Sequence, residues 1–262
     1  MANYTLLRQG DHLPTVAVLQ ELLNRTGAEL RVDGAFGPRT HADVIDFQRS
    51  HGIHPDGVAG EDTWPRLVAS EQLPIIDCVD VFDEGLYHGD AQAIIQAGGH
   101  PILLGGMSRG VAQAARLIAA SSENVFLLRF IGHGRAGLQG VAVGKGGWEE
   151  IRGKRKIWHS FGEQRSSLHW VNAKNAGTLG LQGIFGPYGS VELHGCHVAA
   201  GPKGRTFVAT LAKQLGVPVS AGTASQVSTF RFDGPTFTAF PRGETMKEWC
   251  ATLPDFASMS VR

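Results

Sequence analysis

Two short stretches carry residue types able to do covalent chemistry. In the first, the apolar run Phe126 to Ile131 stops at His133, which stands between Gly132 and Gly134. In the second, the shorter run Val191 to Leu193 leads into His194-Gly195-Cys196-His197. A thiol with its ordinary pKa of about 8.5 is only a few per cent thiolate near neutrality, and an imidazole within reach makes it a usable nucleophile. His133 and Cys196 form such a couple if their segments are neighbours in space. Gly134 adds no side-chain bulk beside the imidazole, so its amide N–H and that of Cys196 can serve a developing oxyanion. His194 and His197 flank the cysteine as candidate pocket residues. Zinc also accepts these residue types, which keeps a metal-dependent hydrolase open as an alternative. Neither HExxH nor CxxC spacing supports it, so no metal ligand is assigned and no cofactor is expected. Cys78 and Cys250 have no activating neighbour in the sequence and are expected in the core or at the surface.

The elements that must position these residues follow from the hydrophobic pattern. Ile75 to Phe82, Pro101 to Leu104 and Val125 to Ile131 are short apolar runs bounded by turn residues, the pattern of buried strands. Gln92 to Gln96 and Arg109 to Ala120 have helical spacing between them. Val191 to Leu193, a helix from about Arg205 to Leu215, and Val217 to Ser220 repeat the alternation. Strand and helix in succession predict an α/β fold with a mostly parallel sheet, in which loops at the carboxyl ends of strands present ligand-binding side chains. Both His133 and Cys196 fall at such ends. Val227 to Phe240 alternates like a hairpin turning at Asp233-Gly234, and Met246 to Thr252 reads as a closing helix. Asp77, Asp80 and Asp83 are possible orienting partners for His133, and none is assigned. Trp148, Trp158, Phe161 and Trp170 fall in a Gly-rich stretch that could cover the cleft or simply pack. The basic run Arg152 to Lys156 reads as a solvated loop, with contact to the acidic peptide stems or teichoic phosphates of a cell wall as the alternative.

The first 70 residues have a different texture. Asp33-Gly34-Ala35-Phe36-Gly37-Pro38-Arg39-Thr40 and Asp56-Gly57-Val58-Ala59-Gly60-Glu61-Asp62-Thr63 share the form DGxxGxxT. Each copy reads as a tight turn feeding a helix, with glycine supplying positive φ and Pro38 at a first helical position. Val16, Leu19, Leu22 and Leu23, then Val44, Ile45 and Phe47, follow helical spacing, so three short helices around one small centre are expected. With Leu19-Gln20 on the first helix and Phe47-Gln48 on the second, residues 5 to 69 resemble the peptidoglycan-binding domain 1 family. That resemblance implies a wall-binding module with peptidoglycan as partner, in which Phe36, Phe47 and Trp64 are core residues. The expected division is 1–70 for this module and 75–262 for the α/β domain, joined at Ala69-Ser70-Glu71-Gln72.

The IGHGRAG segment (131–137), the LHGCHVAAGPKGRTFVATLA segment (193–212) and the SAGT that follows resemble the caspase-like clan. More closely they resemble a bacterial caspase-like domain of unknown function with SHGxxG and GCxVAxGxxG motifs. The likeness implies a three-layer α/β/α domain with base His133 and nucleophile Cys196. The caspase pentapeptide around the cysteine is absent, and cleavage after Asp is not expected.

Composition narrows the partners. Lys and Arg total 24 against 24 Asp and Glu in 262 residues, so no net field favours nucleic acid. Gly, at 35 residues, favours tight turns over long packed helices. Three cysteines at wide spacing argue against a disulfide framework. No apolar run reaches the roughly 18 residues a membrane span needs, and the start lacks the pattern of a secretory leader. The expectation is a cell-wall-targeted cysteine peptidase acting on a peptide or protein substrate. A specialised secretion route, such as that of an antibacterial effector, would then bring it to the wall or periplasm. A non-catalytic adhesion module with the same fold, and a zinc-dependent peptidoglycan hydrolase, are the alternatives.

Overall fold

The computed structural model describes residues 3–68, 73–81, 88–104, 110–141 and 170–254, with the backbone of two strands at 147–152 and 155–160. The joint at 69–72, Phe82, Asp83 and Phe161 lie outside the described residues, as do the side chains of Trp148, Trp158 and the basic run.

The amino-terminal module consists of α1 (Pro14–Arg25), α2 (Pro38–Ser50) and α3 (Trp64–Val68). Pro14 and Pro38 open their helices where a missing N–H costs nothing. Two glutamines explain the sequence repeat. Gln20 Oε1 accepts the N–H groups of Asp33 and Gly34, and its Nε2 donates to Ala35 O, Asp33 Oδ1 and Thr40 Oγ1. Gln48 does the same for the second copy, accepting from Gly57 and donating to Asp56 Oδ1, Val58 O and Thr63 Oγ1. Each turn is thus held by the preceding helix, with Gly34 at φ +69° and Gly57 at φ +71°, the left-handed region that favours glycine. Phe36, Phe47 and Trp64 are buried, and Trp64 Nε1 donates to Thr5 O at 2.9 Å.

The α/β part runs β1 (Ile75–Asp80), α4 (His88–Gln96), β2 (Ile102–Leu104), α5 (Gly110–Ser121), β3 (Val125–Ile131), β4 (Gly134–Arg135), β5 (Leu138–Gly140), β6 (Gly147–Arg152), β7 (Arg155–Ser160) and β8 (Trp170–Asn172). A short 3₁₀ turn (Ala176–Leu179), β9 (Phe185–Leu193), α6 (Gly201–Leu215), β10 (Val219–Gly222), β11 (Thr236–Ala239) and α7 (Met246–Cys250) follow. Six strands form one sheet in the order β2-β1-β3-β9-β10-β11. It is parallel throughout except for β11, which runs antiparallel to β10. β3 is buried along all seven residues, as a central parallel strand must be. β4, β5 and β8 make a small side sheet, and β6 pairs with β7 as a hairpin.

One face of the large sheet packs on α5 and α6 through Leu128, Phe130, Val191 and Leu193 with Ile118, Phe207 and Leu211. The opposite face is covered by the amino-terminal module and α4. Leu7, Leu19, Phe36 and Trp64 share one apolar cluster with Phe126, Leu127, Tyr188 and Phe232, so the module supplies part of the α/β core. Across this face runs a polar row in register: Asp77 on β1, Arg129 on β3, Glu192 on β9 and Ser220 on β10, all buried, with the half-buried Thr238 on β11 at its end. Arg129 forks onto Asp77 with Nε–Oδ1 at 2.6 Å and Nη2–Oδ2 at 3.0 Å. Asn3 and Thr5 complete the row: Asn3 O accepts from Arg129, Asn3 Nδ2 donates to Asp77, and Thr5 Oγ1 donates to Glu192.

The hairpin expected over 227–240 does not form. Only Thr236–Ala239 is a strand, and it pairs with β10. Residues 226–233 are instead tied by side chains, because Asp233 accepts the N–H groups of Val227 and Ser228 and so replaces a β ladder. The closing helix is shorter than the pattern suggested and starts with a Thr245/Glu248 capping box.

Candidate active site

β3 and β9 are adjacent and parallel, with Phe130 opposite Leu193. His133 lies three residues beyond Phe130 and Cys196 three beyond Leu193, so both stand at the same carboxyl edge of the sheet. The two loops touch. A Cβ placed on Gly134 would lie 2.5 Å from Gly195 C and 2.7 Å from Cys196 N, and one on Gly195 would lie 2.8 Å from Gly134 Cα. Both positions therefore require glycine for the loops to approach this closely, as backbone meets backbone with no room for a side chain.

Gln139 secures this approach. It stands opposite Gly134 in the β4–β5 pair, is fully buried, and accepts the Gly195 N–H at 3.0 Å on Oε1 while Nε2 donates to Gly140 O. Gly140 N–H in turn donates to His133 O at 2.7 Å, and Gly137 N–H to Val198 O. The histidine loop and the cysteine loop are thus bonded to one another on both sides. Asp80, at the end of β1, is fully buried beside Gly132: a Cβ on that glycine would lie 3.6 Å from Asp80 Oδ2. Asp77 is turned to the other face and engaged by Arg129.

Cys196 is half-buried, whereas Cys78 and Cys250 are buried. Burial pushes both of those thiols up, Cys250 to about 11 with Asp33 adding to the effect. Of the three, Cys196 alone lies partly open. Its sulfur meets the main chain of Gln226, accepting that N–H at 3.3 Å and facing that carbonyl at 3.6 Å.

His197 is exposed with φ +57°, an uncommon conformation for a side-chain-bearing residue. Its N–H donates to Ala224 O, Nδ1 lies 3.2 Å from Thr223 O and Nε2 lies 3.2 Å from Ser225 Oγ, so the ring pins the cysteine loop to the segment after β10. His194 is buried on the module side of the sheet, with Nε2 3.0 Å from Glu192 Oε2 and its ring stacked on Phe232 at 4.5 Å. Trp170 packs with Leu138 in the side sheet, under the Arg135 guanidinium. Among the described residues no three His, Cys, Asp or Glu side chains cluster as metal ligands.

Gln139, Gln226 and Asp233 are the residues that sequence reasoning passed over. The first two carry no local signal, since both act on chain segments far away in sequence. Asp233-Gly234 carried a turn signal, which concealed the carboxylate's part in bonding the loop. Separately, a cleft of about 390 Å³ opens where the module meets the α/β part, lined by Tyr4, His54, Asp56, Glu61, Asp62 and Phe230 among others.

Residues 12–67 match the family described as "Putative peptidoglycan binding domain". A zinc D-Ala-D-Ala carboxypeptidase of Streptomyces albus G is 45% identical over 56 residues, 21% of this chain and 21% of that protein. An uncharacterized protein in the bpoA1 3' region of Kitasatospora aureofaciens is 42% identical over 64 residues, 24% of this chain and 54% of that protein. Among solved structures, a peptidoglycan-binding protein from Clostridioides difficile in complex with glutamine hydroxamate is 30% identical with a TM-score of 0.25, over 26% of this chain and 42% of that one. The Burkholderia AP3 phage endolysin is 29% identical with a TM-score of 0.24, over 44% and 36%. The chain spans between about a fifth and about half the length of these relatives. What they share with it is small beside the whole, and residues 12–67 are a peptidoglycan-binding-type domain.

Proposed function

We propose that the protein is a cell-wall-directed cysteine hydrolase of caspase-like type that cleaves an amide bond in a peptide presented at peptidoglycan. The observation that carries this reading is the contact of Gly134 with Gly195 and the Cys196 amide, which brings the histidine loop and the cysteine loop to one edge of the sheet. Cys196 Sγ attacks the scissile carbonyl carbon as His133 takes the thiol proton. The oxyanion is held by the amides of Gly134 and Cys196, and the C–N bond breaks as His133 passes the proton to the leaving amine. A water molecule, deprotonated by His133, then attacks the thioester carbonyl, releasing the carboxylic acid and returning the proton to sulfur. His197, exposed at the mouth of the cysteine loop, would line the substrate path. His194 is enclosed by Glu192 and Phe232 and acts through packing.

The amino-terminal module directs the hydrolase to the wall. No helix among the described residues is long and apolar enough to cross a membrane. The test is hydrolysis of purified peptidoglycan and of wall-associated peptides, read by mass spectrometry, together with sedimentation on insoluble wall. Cys196→Ala and His133→Ala should each abolish turnover and leave sedimentation intact, and the wild-type rate should be insensitive to chelators. Turnover unchanged by Cys196→Ala would overturn the assignment.

A further inference from the structure

The segment between β10 and β11 is bonded to the nucleophile at one end and closed on itself by one carboxylate. Gln226 lays its N–H on Cys196 Sγ at 3.3 Å. The position of that amide is set by the Gln226 side chain, whose Nε2 donates to Ala224 O, Ser225 O and Asp233 O, and whose Oε1 accepts the Asp233 N–H. Gly222 makes room for it, since a Cβ there would lie 2.3 Å from Gln226 Nε2. Asp233 then closes the loop from the far side. Its carboxylate takes the N–H groups of Val227 and Ser228 and the Ser228 hydroxyl, each at 2.8 Å, with Arg231 Nη2 at 3.6 Å.

An N–H aimed at sulfur is worth little to a neutral thiol and much more to a thiolate, because the bond becomes charge-assisted. The opposing contact, from thiol to Gln226 O, is longer at 3.6 Å and uses a weak donor. Fixing the Gln226 main chain therefore keeps an N–H donor in place beside the sulfur. We propose that Asp233 is a positioning residue for the nucleophile: by bonding the amides on the far side of Gln226 it holds the Gln226 N–H against Cys196 and stabilises the thiolate. The proposal rests on the reading of Cys196 as the nucleophile. Desolvation opposes ionisation of Asp233, and the hydrogen bonds from Val227 and Ser228 with the Arg231 charge outweigh it, holding the carboxyl below its ordinary range. Among the described residues, the ionisable groups on the elements around Cys196 include Glu192, His194 and His197 on its own segment, Asp80 at the end of β1, His133 and Arg135 beyond β3, Lys203 and Arg205 on α6, and Arg231.

The experiment is iodoacetamide labelling of the full chain as a function of pH, with Cys196 modification read by peptide mass spectrometry. Asp233→Ala should raise the midpoint of the Cys196 labelling curve by about one unit, which at pH 7 is on the order of a tenfold lower rate. Asp233→Asn keeps the size and one acceptor oxygen, and should move the midpoint part of the way even if the alanine variant folds poorly. Ser228→Ala removes the hydroxyl bond but keeps both backbone bonds, and should leave the midpoint in place. Wild-type midpoints in folded Asp233→Asn and Asp233→Ala would overturn the proposal. Hydrolysis separates it from the parent reading: loss of turnover in Cys196→Ala with unmoved midpoints in the Asp233 variants sinks the positioning role alone. Shifted midpoints with turnover intact in Cys196→Ala sink the hydrolase alone.

Discussion

Gln139 Oε1 accepts the N–H of Gly195 at 3.0 Å, so a fully buried side chain on the strand beyond His133 holds the residue that precedes Cys196. Gln139→Leu keeps the volume and removes the acceptor, leaving a buried amide unsatisfied. The expected loss is about 1–3 kcal/mol, which at about 2–4 °C per kcal/mol for a chain of this size is visible in a melting curve. Turnover should fall by more than the stability loss explains, since the two loops would no longer be registered, and kcat measured well below the melting temperature checks this.

The thiols should separate cleanly by reactivity. At pH 8 in native buffer, iodoacetamide should label Cys196 and spare Cys78 and Cys250, whereas all three should label in denaturant, as counted by mass spectrometry. Because burial raises the Cys250 thiol to about 11, its proton is held more tightly in the folded chain. Stability from this group is complete below the ordinary thiol pKa and is lost as pH rises toward about 11. Cys250→Ser should flatten that alkaline decline in urea midpoints.

Breaking the polar row should be costly. Arg129→Met leaves Asp77 buried without its ion partner, and about 3–5 kcal/mol is the expected penalty in urea unfolding. The double change Asp77→Leu with Arg129→Met should recover much of that loss, because no charge is then left buried.

Gln48→Ala removes four hydrogen bonds that fix the second turn. The expected result is a loss of several degrees in melting temperature and weaker sedimentation on wall material, with Cys196 labelling unchanged. Gln20→Ala should behave alike, as it serves the first copy of the same device.

Much of this was legible in the chain, for reasons that differ by residue. β3 was readable to its ends because a strand buried on both faces is built from apolar residues, here broken at Arg129, whose charge is met by Asp77. β9 was readable only at Val191 to Leu193, because Phe185 to Ser190 contains two glycines and a proline that look like a turn. The repeat pointed to Gln20 and Gln48 through spacing, yet their bonding to the turns is tertiary. His133 and Cys196 stood out by type and by their glycine neighbours. The meeting of their two loops depends on β3 lying beside β9, a matter of strand order that no local pattern encodes. Gln139, Gln226 and Asp233 act across chain separations that leave no periodic trace.

The amino-terminal segment bears on how the protein would meet its target. Leu6 N–H donates to Phe230 O, Thr5 donates to Glu192, and Asn3 is held by Arg129. The module is thus held to the sheet by hydrogen bonds as well as by the shared apolar cluster. On the proposed reading, a glycan strand gripped by it would be carried at a set offset and angle from the sulfur, so bonds would be chosen by where they fall along the polymer as well as by what they are.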